Sequence, residues 1–197
     1  MTQVSGIQGL HHSAMRCRDS EETRRFYEDF LGLPLAEALE IGVTKTGRAE
    51  QYLHTFYRMD DGSFLAFFEC PSLPFEFKAQ HDFDLHLALE VTPEHLRAMC
   101  QRAEAMGVDY RGPADHSFID SIYFRDPNGY VVELTAKQAQ HDEAVNPQLN
   151  GAREKLTRWT QAKRAAGHGE DALPGDMGFE TGAAAVGTAG ETLTPAR

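Results

Sequence analysis

One pattern occurs twice in this chain, and it restricts the fold more than any other feature. His12-Ser-Ala14-Met-Arg16 and His86-Leu-Ala88-Leu-Glu90 both read His-x-Ala-x-charged. Both alternate as strands do, with Met15 and Cys17, or Leu87, Leu89 and Val91, on the opposite face. A helix follows each. The first has Asp19 as N-cap with Glu22 three residues on, a capping box, and the second has Thr92 as N-cap with Pro93 at the first helical position. Thr23, Phe26, Tyr27 and Phe30 form the apolar stripe of one helix, and Leu96, Met99, Ala103 and Met106 that of the other. Each stops at a glycine, Gly32 or Gly107, where a left-handed C-cap is expected. The offset from His to Gly is 20 in one half and 21 in the other. A chain that repeats at this level is built from one supersecondary unit used twice.

Strands complete both halves. The first has Tyr52–Met59, a turn at Asp60-Asp61-Gly62, and Ser63–Glu69. The second has Val108–Arg111, Ser121–Arg125, a turn at Asp126-Pro127-Asn128-Gly129, and Tyr130–Thr135. The fold class is therefore α+β. Two such units side by side make a curved sheet with a trough inside and helices outside. Composition changes near residue 136. Between Pro147 and Lys163, Leu149, Ala152, Leu156 and Trp159 make one narrow apolar stripe on a helix. From Gly167 to Arg197 large apolar residues are few, and a flexible tail is expected because so little burial cannot offset the ordering entropy.

The net charge of −11, from 19 Lys+Arg against 30 Asp+Glu, argues against nucleic acid, whose phosphates call for a basic stripe. No run of 18 apolar residues is present, so no membrane span is expected, and the N-terminus lacks the basic and apolar regions of a secretory signal. Three scattered cysteines, Cys17, Cys70 and Cys100, fit a reducing compartment, and the expected location is cytoplasmic.

Strand alternation puts His12 with Ala14 and His86 with Ala88, small neighbours that leave room for something bound. Glu133 shares a face of the last strand with Val131 and Thr135. Two imidazoles and a carboxylate on three strands around a trough make a 2-His-1-carboxylate set with open positions, which suits Fe(II). Singly, each is an ordinary core or surface residue. Their place in a duplicated framework points to a metal.

The stretch Gly9-Leu-His-His12-Ser-Ala-Met-Arg-Cys-Arg-Asp19, then Phe26-Tyr27-Glu28-Asp29-Phe30-Leu31-Gly32-Leu33, resembles the opening of the vicinal oxygen chelate superfamily. Ile122-Tyr-Phe-Arg-Asp-Pro-Asn-Gly-Tyr-Val-Val-Glu133-Leu resembles its closing strand pair. That group spans glyoxalases, fosfomycin and bleomycin resistance proteins, and type I extradiol dioxygenases. The resemblance covers about residues 7–136. It implies paired βαβββ modules (about 7–71 and 82–136), followed here by a helical extension (137–166) and the tail (167–197). It further implies a divalent metal on His12, His86 and Glu133.

Ring-cleaving members carry a Tyr ten residues before the metal Glu and a His about thirty after the second metal His. Tyr123 and His116 stand there. A further His of that group falls at Ser63 in this chain, and His54, one strand earlier, is the candidate substitute. The leading expectation is thus an Fe(II)-dependent extradiol-type dioxygenase acting on a catechol-like aromatic, with His54, His116 and Tyr123 managing protons and position. Glu69 supports a different expectation, a glyoxalase-like isomerase or lyase. In that reading Glu69 is fourth ligand and base, and Mn, Ni, Co or Zn suit the site better. A metal-free small-molecule-binding resistance protein is the third.

Arg16 and Glu90, at matching positions, are a candidate pair across the pseudo-twofold axis. Of Phe64, Phe67, Phe68, Phe75 and Phe77, a few are candidates to line an aromatic-friendly pocket. Substrate choice would lie in loops such as Ala36–Glu50. The partners expected are a small molecule and a second copy of the chain, as a homodimer or higher homo-oligomer.

Overall fold

The computed structural model describes residues 6–42, 51–79 and 81–168. β1 (His12–Cys17) leads into α1 (Ser20–Arg24), whose N-cap Asp19 accepts the Glu22 N–H at 2.7 Å. From Arg25 to Phe30 the helix widens to a π-helical turn, with the Leu31 N–H donating to the Phe26 carbonyl at 2.9 Å. The widened turn buries Phe26, Tyr27 and Phe30 together before Gly32 takes φ +85 and ends it. β2 (Leu35–Ile41), β3 (Tyr52–Arg58) and β4 (Phe64–Glu69) complete the first module. The second runs β5 (His86–Val91), α2 (Pro93–Met106), β6 (Tyr110–Asp115), β7 (Ile119–Arg125) and β8 (Val131–Lys137). α2 has the expected Thr92 cap and a left-handed Gly107 at its end.

The modules have one topology. Sheet A is ordered β1-β4-β3-β2 and sheet B β5-β8-β7-β6. In each, the first strand runs parallel to the last and the other neighbours are antiparallel. The expected α+β architecture of two βαβββ units is the one found.

β2 departs from expectation, since the sequence places the stretch from Ala36 onward in a loop. Its sequence, Leu-Ala-Glu-Ala-Leu-Glu-Ile, is made of helix formers, and it becomes a strand by pairing along β3. Residues 43–50 of that stretch lie outside the described residues.

Tyr27 packs on Phe67 and Tyr57 of sheet A, with ring centroids 4.7 and 5.5 Å away, while Phe30 packs on Phe124 of sheet B at 5.2 Å. One core therefore draws on the helix-side faces of both sheets. The Asp126–Gly129 turn fastens it. Asn128 accepts the Arg18 N–H at 2.8 Å and donates to Thr23 Oγ1 at 3.2 Å. Asp126 accepts from the Tyr27 hydroxyl and from the Asn128 and Tyr130 N–H groups. Burial pushes the Asp126 carboxyl up from its ordinary value, with those hydrogen bonds opposing the shift.

Contacts divide the chain into a unit to Val145 and another from Asn146 onward. α3 (His141–Ala144) belongs to the first and α4 (Ala152–Ala165) to the second. α4 begins later than the stripe predicts, behind Gly151, which has φ +60, so Leu149 precedes it. From residue 169 on, the expected tail lies outside the described residues.

Candidate metal centre

Pairing register shows which side chains share a face. In sheet B, Ala88 pairs with Glu133, Glu133 with Tyr123, and Tyr123 with Arg111, giving one row across all four strands. The opposite face carries Ile122, Phe124, Val132 and Leu134, which are core. In sheet A the matching row is Ala14, Ala66, Phe56 and Glu37. The position equivalent to Glu133 is thus Ala66, and that equivalent to Tyr123 is Phe56. At these two positions only the second module carries a carboxylate and a phenol.

On sheet B four expected residues come together. Glu133 is 4% exposed, and its Oε2 lies 3.2 Å from His86 Nε2. Tyr123 donates its hydroxyl hydrogen to Glu133 Oε1 at 3.3 Å, and His116 Nε2 stands 2.8 Å from the Tyr123 oxygen. Because the phenol donates to Glu133, the His116 contact is an Nε2–H donating to it. Burial, then the Glu133 charge, pushes the Tyr123 phenol up, so it keeps its proton at neutral pH.

His86 Nδ1 lies 2.7 Å from the Asp82 backbone carbonyl. A carbonyl only accepts, so Nδ1 carries the hydrogen and Nε2 turns towards Glu133. Neutral, that Nε2 has a lone pair 3.2 Å from a carboxylate oxygen, and two acceptors facing each other call for a cation or a proton between them. An imidazole anchored through its far nitrogen to a carbonyl is the usual presentation of a metal-binding His. The two groups, an imidazole nitrogen and a carboxylate oxygen, are of the donor types that divalent metals take.

On sheet A, His12 stands near His54 and Phe56, with centroids 6.4 and 5.7 Å away. His54 is 7% exposed, stacks on Phe68 at 3.6 Å and 7°, and donates from Nδ1 to the Phe67 carbonyl at 3.1 Å. His11 Nδ1 meets His12 Nδ1 at 2.8 Å. His54, Phe56, Phe64 and Phe68 make an aromatic wall beside His12.

His12 does not join His86 and Glu133 within one chain. Among the described residues no group of three or more His, Cys, Asp and Glu is placed to hold a metal. β1 and β5 are edge strands, and His12, Ala14, His86 and Ala88 on them are exposed.

Glu69 is a correction. It pairs with Cys17 on the helix side of sheet A, and its Oε2 accepts the Ser20 N–H at 2.7 Å. It serves the start of α1, a task that holds it away from the face carrying His12. Arg16 and Glu90 do not pair either. Glu90 meets Lys137 at 2.9 Å, and Arg16 donates to the Leu73 carbonyl at 3.4 Å. Arg111 was missed. The sequence pattern ends that strand at Arg111, and its pairing with Tyr123 across β6 and β7 has no local signal.

The Glyoxalase/Bleomycin resistance protein/Dioxygenase superfamily model matches residues 9–134. The chain belongs to this superfamily. The superfamily's fold recurs in solved structures. A glyoxylase/bleomycin resistance protein/dioxygenase domain from Frankia sp. EAN1pec is 18% identical, with TM-score 0.53 over 68% of this chain and 100% of that one. A fosfomycin resistance protein, FosX, from Listeria monocytogenes is 20% identical, with TM-score 0.52 over 68% and 98%. A glyoxalase/dioxygenase from Nostoc punctiforme is 22% identical, with TM-score 0.51 over 68% and 93%. No curated protein matches the chain. At these identities the structures show the shared fold, and the chemistry rests on the residues above. No helix among the described residues is long and apolar enough to cross a membrane.

Proposed function

We propose that this protein is a divalent-metal-dependent enzyme, an extradiol-type dioxygenase for catechol-like aromatics, whose site is shared between two copies. His86 and Glu133 of one copy and His12 of the other would hold the metal, with Fe(II) the ion that suits two imidazoles and a carboxylate. Sharing is supported by the edge positions of β1 and β5 and by apolar side chains exposed just before them, Leu10, Phe83 and Leu85.

The observation that carries the reaction class is the chain of contacts His116–Tyr123–Glu133–His86, which ties two proton-handling groups to the metal carboxylate. Bound there, Fe(II) would supply Lewis-acid polarisation of adjacent substrate oxygens and redox capacity towards O₂. The rest falls to side chains. Tyr123, protonated and held between His116 and Glu133, orients a substrate oxygen. His116, at the exposed end of the chain, exchanges a proton with solvent. His54 is held through Nδ1 by the Phe67 carbonyl, which leaves Nε2 as its remaining ring nitrogen. With Phe56, Phe64 and Phe68 it favours a flat apolar ring. The isomerase reading draws less support, because the Glu69 it takes as base accepts from Ser20 on the helix side.

The test is anaerobic Fe(II) loading followed by oxygen-electrode assays over a catechol panel. Uptake that requires Fe(II), the catechol and Glu133 supports the reading. Stoichiometric metal binding without uptake defeats it in favour of another metal-dependent reaction. Unchanged ligand affinity in His12→Ala, with no metal bound by the wild type, favours a binding protein.

A further inference from the structure

His86 and Tyr123 are steadied from opposite sides of the sheet B face, and both supports lead to one cation. β6 breaks register between Arg111 and Ala114. Gly112 takes φ +112 there, and a Cβ at that position would come 2.6 Å from the Ser121 carbonyl oxygen, so glycine alone lets the bulge close against β7. At the start of this bulge Arg111 pairs with Tyr123, and its guanidinium carbon lies 4.5 Å from the centre of the Tyr123 ring. The same guanidinium forms an ion pair with the Asp82 carboxylate, which His81 Nδ1 also reaches at 2.6 Å. The Asp82 carbonyl is the group that accepts from His86 Nδ1.

We propose that Arg111 is a positioning residue that sets the tautomer of His86 and the plane of Tyr123. Through Asp82 it anchors the turn whose carbonyl keeps the hydrogen on His86 Nδ1 and the lone pair on Nε2. Through its planar face it holds the Tyr123 ring, so that the hydroxyl stays between Glu133 and His116. Lysine has neither the planar face nor the fork that reaches in two directions, so charge alone does not replace it. In what it says of metal affinity, the inference rests on the reading of His86 and Glu133 as ligands. In what it says of the tautomer, it does not.

Long-range ¹H–¹⁵N spectra of the metal-free protein read the tautomer directly. Wild type is expected to show the hydrogen held on His86 Nδ1, and Arg111→Met a mixture in which part of the population has lost it. Co(II) titration is expected to show affinity lowered about 10- to 100-fold in Arg111→Met and only partly restored in Arg111→Lys. Asp82→Asn keeps the backbone carbonyl but loses the ion pair, so it is expected to reproduce the mixture, and it replaces Arg111→Met should that variant fail to fold. A His86 tautomer unchanged in Arg111→Met or Asp82→Asn overturns the inference. Wild-type Co(II) affinity in Glu133→Gln overturns the metal reading instead, and the tautomer comparison still decides the role of Arg111.

Discussion

Glu69 and Glu133 stand in the last strands of their modules, yet they do opposite work because they face opposite ways. Glu133 pairs with Ala88 on the open face, while Glu69 pairs with Cys17 on the helix side and accepts from Ser20. Glu69→Ala is expected to orphan that N–H and cost about 1 kcal/mol of stability, with metal affinity unchanged. Glu133→Gln is expected to lose metal binding while the melting temperature stays near wild type. Calorimetric titration with Co(II), beside thermal unfolding, separates the two effects. His12 and His86 were legible as candidates because the repeat singles them out against ordinary histidines, and Glu133 because it lies in the closing strand pair that carries the family resemblance. The side that Glu69 takes was less so. Its count from the turn differs in parity from that of Glu133, but a single bulge would reverse it, and only the observed register excludes one. The link from Arg111 to Asp82 was not legible, since it joins residues 29 apart in sequence through space alone.

Helices and turns carry their own signals, and these were read correctly where the signal is local. Asp19, Thr92 and Gly107 cap the helices as their chemistry requires. β2 was missed because its preference is set by a neighbour rather than by its own residues. The Asp126–Gly129 turn was legible as a hairpin but not as a buried fastener between modules. Gly129 shows how tightly it fits. It has φ +96, and a Cβ there would lie 2.5 Å from the Lys78 carbonyl oxygen. Gly129→Ala adds a left-handed strain to a backbone collision, and urea unfolding is expected to show a loss of more than about 2 kcal/mol. Gly62 also has positive φ, but nothing lies within 4 Å of the equivalent Cβ. Gly62→Ala therefore bears only the conformational cost, about 1 kcal/mol, and makes a matched control.

At the level of the whole molecule, the helix-side faces are joined in one core and the histidine faces are left open. A site shared by two copies makes a distinctive prediction. Neither His12→Ala nor Glu133→Ala alone should bind metal, but a mixture allowed to exchange subunits forms heterodimers with one intact site each. Equal amounts should recover roughly a quarter of wild-type capacity. No recovery, under conditions where mass spectrometry detects heterodimers, places the whole site on one chain. The rows across the two sheets carry a further consequence. Ala66 and Phe56 occupy in sheet A the places that Glu133 and Tyr123 occupy in sheet B. Duplication has divided the labour between the copies of the unit. One half carries the proposed reactive groups, and the other offers His12 beside a wall of rings in which His54 is a second imidazole. If the proposed site is right, selection can reshape Phe56, Phe64 or Phe68 to admit new molecules while the other half stays untouched, which gives such a scaffold room to change its diet without relearning its chemistry.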